Sequence, residues 1–228
     1  METKYKKIAL IVAGGAGTRM ESAIPKQFIL LKNKPILQHT IEKLNAYDAS
    51  MRLIVVLPAS QLDYWKTLCR HTNFWLKHEL VAGGSTRFES VSNGLATIKN
   101  ETNAIVFVHD GVRPFVSNEV LNNCYQTTVK KGNAIPAISC VESMRTVGEE
   151  GTNKHVNRAD YRVIQTPQTF KIEQLIKAYK VAENPIFTDD ASVVEHSGIT
   201  INLVPGNVEN IKITTPFDLI VGEGVLGR

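Results

Sequence analysis

Residues 8–20 read IALIVAGGAGTRM, an apolar, β-branched run that breaks into a glycine cluster and closes on a cation. A strand that delivers its chain into glycines lets backbone N–H groups approach an anion closely, because no Cβ intervenes. Three designs compete for such a stretch. A Walker loop requires Lys-Ser or Lys-Thr after its last glycine, and neither follows Gly17. A dinucleotide fingerprint requires Gly or Ala where Met20 stands, with an acidic strand end about 20 residues later. Pro25-Lys26-Gln27 and a helical segment follow instead. What remains is a loop of backbone donors joined to two cations, Arg19 and Lys26, on one connection that reaches a triphosphate.

Outward from this loop, short apolar runs at 53–57, 79–82, 104–108, 134–138 and 201–204 alternate with helical periodicity. Helices are expected over 35–46, 61–71, 86–99, 118–131, 171–183, 190–196 and 216–226. In the second, Leu62, Trp65, Leu68 and Cys69 recur at i, i+3, i+4 spacing, a core-facing stripe. Ser60, Ser85, Ser117 and Asp189 read as N-caps. Doubly buried strands alternating with helices predict an α/β fold with a doubly wound, mostly parallel sheet. Right-handed crossovers then place the cleft at the carboxyl ends of the strands. The whole chain, 1–228, reads as one domain.

The segment 139–165 breaks this rhythm. Runs at 144–147 and 161–164 flank a polar turn rich in Gly and Glu, with few residues able to build a core. A hairpin this poor in apolar side chains is marginal alone. The expectation is an extended β-arm, inserted within the domain, that packs against a second subunit.

Bulk properties narrow the functional class. The net charge of +4, from 26 Lys+Arg against 22 Asp+Glu, is too small and scattered for a nucleic-acid binder. It suits an enzyme whose substrates are polyanions, since a few cations in one cleft concentrate them. Cys69, Cys124 and Cys140 form no ligand-like spacing, which argues against a disulfide framework or a zinc site. The first apolar run is too short for a membrane span or a signal-peptide core, so no membrane contact and a cytoplasmic location are expected.

The run AGGAGTRM with PKQF resembles the signature loop of the sugar-phosphate nucleotidyltransferases, and most closely the cytidylyltransferases acting on 2-C-methyl-D-erythritol 4-phosphate. Further runs carry the resemblance along nearly the whole chain: GGSTRFES (83–90), HDGVRP (109–114), QTPQ (165–168), TDDAS (188–192) and NIKIT (210–214). It implies a Rossmann-like nucleotidyltransferase fold, CTP and a polyol phosphate as substrates, and Mg²⁺ or another divalent cation as cofactor. It also implies a homodimer formed through the arm.

The resemblance carries roles to single positions. Arg19 and Lys26 match cations that stabilise the transition state. Ala13, Gly14, Gly15, Gly83, Gly84, Ser85, Ser90, Asp110 and Gly111 match positions around the nucleotide. Asp110, Arg113, Ser143, Arg158, Thr166, Thr188 and Lys212 match positions that engage the acceptor, with Arg158 and Lys212 holding its phosphate in line. Asp110 is the candidate metal ligand beside an ion that CTP itself carries. His109 is read as structural. If the arm crosses to a partner, each site borrows Arg158 from the other subunit. Ser85 stands where relatives often carry an acid, Ser143 where Thr is usual, Asn157 where Asp is common, and HDGVRP where HDAARP is commoner. The last departure, with Asn157–Ala159, resembles enzymes acting on ribitol 5-phosphate, the alternative acceptor. A nucleotide-binding regulator without chemistry is the alternative from another class; the retention of Arg19, Lys26 and Lys212 argues against it.

The chemistry explains the residue types. A phosphate monoester is already anionic, so no serine or histidine machinery is needed to make a nucleophile. The obstacle is one anion approaching another, and cations around the reacting phosphorus address it.

Overall fold

The computed structural model describes residues 5–15 and 24–227. In chain order the strands and helices begin with β1 (Lys6–Val12), β2 (Leu30–Leu31), β3 (Lys34–Pro35), α1 (Ile36–Tyr47), β4 (Arg52–Leu57), α2 (Leu62–His71) and β5 (Glu79–Ala82). Then come α3 (Arg87–Ala96), β6 (Ala104–Asp110), α4 (Asn118–Lys131), β7 (Asn133–Ser139), β8 (Arg145–Val147), β9 (Asn153–His155) and β10 (Arg162–Ile164). β11 (Gln168–Lys171), α5 (Ile172–Ala178), α6 (Asp190–His196), β12 (Leu203–Pro205) and α7 (Pro216–Leu226) complete the chain.

The central sheet runs β10-β7-β11-β6-β1-β4-β5, with β12 also paired to β7. β6, β1, β4 and β5 are parallel, as the apolar runs predicted; the first three bury both faces, whereas β5 at the edge is part-exposed. Strand periodicity sorts their side chains onto the two faces. Ala9, Ile11, Leu53, Val55, Ile105 and Phe107 meet α1, α2 and α4 on one face. Ile8, Leu10, Ile54, Val56, Val106 and Val108 meet α3, α5 and α6 on the other. Contact is close where α3 crosses β1: a Cβ added at Gly94 would lie 2.3 Å from Leu10 Cδ1.

Several expectations are corrected. β11 went unread: it runs antiparallel between β6 and β7, so this half of the sheet is mixed. The run at 201–204 yields a strand shifted to Leu203–Pro205. Helix α3 is capped by Thr86, whose hydroxyl accepts from Glu89 N, rather than by Ser85. Ser60 lies inside a 3-10 turn, and α2 starts without a side-chain cap. Ser117 and Asp189 do cap their helices, Asp189 in a reciprocal box with Ser192.

Within 139–165 the pairing also differs from expectation. Arg145–Val147 pairs antiparallel with Asn153–His155, and Arg162–Ile164 returns to the main sheet along β7. The β8–β9 hairpin is exposed throughout, with Val147 79% accessible. No helix among the described residues is long and apolar enough to cross a membrane.

Candidate active site

The parallel strands end together along one rim. Val12 lies in register with Asp110, Gly111 N donates to Val12 O at 2.9 Å, and Ala13 N to Val56 O at 2.9 Å. These ties open a hollow of about 320 Å³ above the strand ends, walled by Ala13–Gly15, Lys26, Ser85, Arg87, Ser90 and Asp110. A second hollow of about 290 Å³, with Arg113, Thr166, Thr188 and Asp189 in its wall, shares Arg87, Asp110 and Lys212 with the first.

On the glycine side, a Cβ added at Gly15 would sit 3.1 Å from Lys26 Nζ, so the ammonium lies directly over the loop. Lys26 opens a 3-10 turn, Lys26–Phe28, in which Gln27 and Phe28 are buried. Arg19 lies outside the described residues. Across the hollow, the main-chain N–H groups of 83–85 are already engaged. Gly83 N donates to Leu57 O, Gly84 N to Ser90 Oγ at 3.2 Å and Ser85 N to Glu89 Oε2 at 2.7 Å. Gly83 and Gly111 stand behind the wall; an added Cβ would meet Ser90 Oγ at 2.7 Å in the first and Ala13 Cβ at 2.8 Å in the second.

Asp110 is the electrostatic hinge between the two hollows. Its Oδ2 meets Lys212 Nζ at 3.0 Å and Arg113 Nε at 3.1 Å, and its Oδ1 faces Arg87 Nε at 4.0 Å. Burial alone would raise the carboxyl, but the charges of Lys212, Arg87 and Arg113 outweigh it and hold Asp110 well below the usual range. Arg113 also donates to Asn210 O at 2.8 Å, so its guanidinium braces the site floor. The NIKIT segment is fastened in turn: Asn210 Nδ2 donates to Thr166 O, and Ile213 N to Val112 O.

Thr166 reaches the wall of the second hollow with its hydroxyl engaged inward. Its Oγ1 accepts from Asp110 N at 3.0 Å and lies 2.9 Å from His109 Nδ1. His109 Nε2 lies 3.0 Å from the Arg113 carbonyl, which only an N–H can bond. That fixes a proton on Nε2, and burial of the ring favours the neutral imidazole, in which Nδ1 accepts from the Thr166 hydroxyl. Complete burial, opposed by the charge of Asp110, drops the His109 pKa to about 4. The unfolded chain, with an ordinary value near 6.5, takes up the proton first on acidification. Stability is thus full above pH 6.5 and is lost as pH falls toward 4. Urea unfolding at pH 5 should show a loss of about 2 kcal/mol from this residue relative to pH 7.5. His109→Gln should flatten that difference, and an unaltered pH dependence in the variant would overturn the assignment.

Two expected residues stay apart. Ser143 and Arg158 are exposed in the arm, where the Arg158 guanidinium donates to the Val141 carbonyl, and neither walls either hollow. Residues that sequence reasoning left without a role do enter: Arg87, Gln27, Thr86 and Gln168. Arg87 and Gln168 fall inside quoted runs, but their partners lie far away in the chain, Asp190 for Arg87 and Asp189 for Gln168.

A family model described as IspD: 2-C-methyl-D-erythritol 4-phosphate cytidylyltransferase matches residues 7–228. The protein of that name from Bacteroides thetaiotaomicron is 48% identical over 221 residues, covering 97% of this chain and 100% of the relative. That from Phocaeicola vulgatus is 51% identical over 214 residues, 94% of this chain and 96% of the relative. Among solved structures, 4-diphosphocytidyl-2C-methyl-D-erythritol synthase from Anaerococcus prevotii superposes with a TM-score of 0.81 at 26% identity, over 98% of this chain and 99% of that one. The 2-C-methyl-D-erythritol 4-phosphate cytidylyltransferase of Thermus thermophilus superposes at 0.79 and 26% identity, over 98% and 100%.

Proposed function

The chain belongs to the 2-C-methyl-D-erythritol 4-phosphate cytidylyltransferase family, and from that premise we propose how the two joined hollows divide the work. The enzyme is a nucleotidyltransferase: it moves the cytidylyl group of CTP onto 2-C-methyl-D-erythritol 4-phosphate in isoprenoid biosynthesis. An oxygen of the acceptor phosphate bonds to the α-phosphorus of CTP while the α–β bridging bond breaks, and pyrophosphate leaves with the electron pair.

The observation that carries the division of labour is Lys212, paired with Asp110 at the boundary shared by both hollows. The glycine-walled hollow takes CTP, with Lys26 over the loop and Arg19 on the same connection. The second hollow takes the acceptor. Lys212 then stands where the acceptor phosphate must meet the α-phosphorus, and its charge offsets the repulsion between them. With the N–H groups of 83–85 engaged, their carbonyls are the main-chain atoms left to meet a base. A carbonyl accepts from the amino group of cytosine and repels the corresponding oxygen of uracil, which favours CTP over UTP.

A magnesium ion fits this donor set as a passenger on the triphosphate. Magnesium commonly takes one or two carboxylates plus phosphate oxygens and keeps several waters. Among the described residues no three His, Cys, Asp or Glu gather into a cage, and Asp110 is the carboxylate shared by the two hollows. The ion's contribution when bound is neutralisation of phosphate charge.

The exposed β8–β9 hairpin supports the reading of 139–165 as an arm for a second copy, with Ser143 and Arg158 delivered to the partner's acceptor hollow. A monomeric sedimentation mass in an active preparation would remove that part. The acceptor is tested by pyrophosphate release from CTP with Mg²⁺, offering 2-C-methyl-D-erythritol 4-phosphate and ribitol 5-phosphate in parallel. Strong preference for the first is expected. Preference for ribitol 5-phosphate would reassign the acceptor and leave the cation roles standing.

A further inference from the structure

Arg87 has so far entered only as one of the charges around Asp110, yet it forms part of the wall of both hollows. It is the first residue of α3, directly after the Thr86 cap. Its Nη2 donates to Asp190 Oδ2 at 2.6 Å, and its Nε faces Asp110 Oδ1 at 4.0 Å. Asp190 is fully buried and walls neither hollow. Its other oxygen accepts the Tyr179 hydroxyl at 2.6 Å, and the Tyr179 ring stacks on Phe88, the neighbour of Arg87, at 4.8 Å.

Asp190 is itself immobilised. It opens α6, whose first turn is fixed by the Asp189–Ser192 capping box. Gln168 clamps the same turn from the sheet, donating to Asp189 Oδ2 at 2.7 Å and accepting from Ala191 N at 2.8 Å. Arg87 is thus gripped from behind by a rigid helix start and faces Asp110 in front. The planar fork of an arginine suits this double duty.

We propose that Arg87 is a positioning residue for cytidylyl transfer: clamped by Asp190, it fixes the Asp110 carboxylate so that Oδ2 holds Lys212 at the junction of the hollows. The inference rests on the reading of those hollows as the CTP and acceptor sites. Asp110 carries Arg87 on one oxygen and Lys212 with Arg113 on the other. Removing Arg87 leaves Oδ1 without its cation, so the carboxylate is held through Oδ2 alone by Arg113 and Lys212 and can tilt about its Cβ–Cγ bond; Lys212, whose side chain is 41% exposed, shifts with it. Misplacement of a positioning group by about 1 Å can lower turnover on the order of 10²-fold.

The test is steady-state kinetics on the full-length enzyme with CTP, Mg²⁺ and 2-C-methyl-D-erythritol 4-phosphate, with folding of each variant checked by circular dichroism. Arg87→Gln should lower kcat roughly 10- to 100-fold, and Arg87→Lys, which keeps a charge for Asp190, should recover part of it. Asp190→Asn should lower kcat as well, although its side chain meets no substrate. The double variant should be no slower than Arg87→Gln alone, because both changes cut one chain of contacts. A merely structural role would lower stability while leaving kcat per folded molecule unchanged. Folded Arg87→Lys and Asp190→Asn enzymes turning over within twofold of wild type would overturn the inference, even should Arg87→Gln fail to fold. Multiplicative losses in the double variant would overturn it too. A wild-type enzyme inactive with this acceptor would instead sink the functional reading on which the inference stands.

Discussion

Lys212→Ala is expected to lower kcat roughly 10²- to 10³-fold, the loss typical when one preorganised group aimed at developing charge is removed. The fold should survive, because the residues on either side do the anchoring. Asn210 and Ile213 are fully buried, Asn210 bonded to the Thr166 carbonyl and Ile213 to the Val112 carbonyl. Lys212 leaves this pinned segment with its ammonium in the cleft, so truncation removes charge without opening the core. Asp110 would keep Arg87 and Arg113, enough to leave it ionised. The acceptor's phosphate would then approach the α-phosphorus with one cation fewer between them. Since that repulsion grows toward the transition state, the loss should fall on kcat and kcat/KM together. Lys26→Ala should behave in the same direction from the other wall. Near-normal turnover in folded Lys212→Ala would remove Lys212 from the transition state.

What the sequence reveals of this site follows from where its information sits. The parallel core was legible because β1, β4 and β6 bury both faces and so read as unbroken apolar runs. β11 was hidden because it is four residues long and partly polar. Thr169 is wholly buried, yet its hydroxyl is satisfied by Thr128 at 2.7 Å and the Ala134 carbonyl at 2.9 Å. Side-chain hydrogen bonding of that kind supports a buried strand without apolar patterning. The β8–β9 pairing was misread because an exposed hairpin has no hydrophobic register to announce it. Asp110 lay at a predicted strand end and Lys26 on the connection after the first strand, so both could be placed in the cleft, whereas Lys212 was placed by the resemblance of its NIKIT run. The Arg87–Asp190 pair spans 103 positions, and no local pattern encodes a contact that only the folded sheet creates.

The same separation between local pattern and tertiary contact governs Trp65, whose replacement by alanine should reach from the core to the site. Trp65 is 1% exposed; its ring stacks on Phe28 at 5.8 Å and meets Phe74 edge-on at 6.0 Å. Its Nε1 donates to His78 Nε2 at 2.9 Å. Truncating a buried tryptophan typically costs about 3–5 kcal/mol through lost transfer energy and the cavity left behind. Phe28 also leans on Tyr64 at 5.1 Å, and Gln27 Nε2 donates to Gln61 Oε1 at 2.6 Å. The start of α2 is therefore the platform for the Lys26–Phe28 turn, and the turn carries Lys26 over Gly15. Trp65→Ala should lower the urea midpoint by an amount matching that loss and, at temperatures where the enzyme stays folded, raise the KM for CTP. Trp65→Phe keeps a ring for Phe28 while orphaning the His78 acceptor, so it should restore nucleotide binding ahead of stability. Equal recovery of both would make the tryptophan a core residue alone; recovery of binding first would trace the position of Lys26 to the stack beneath it.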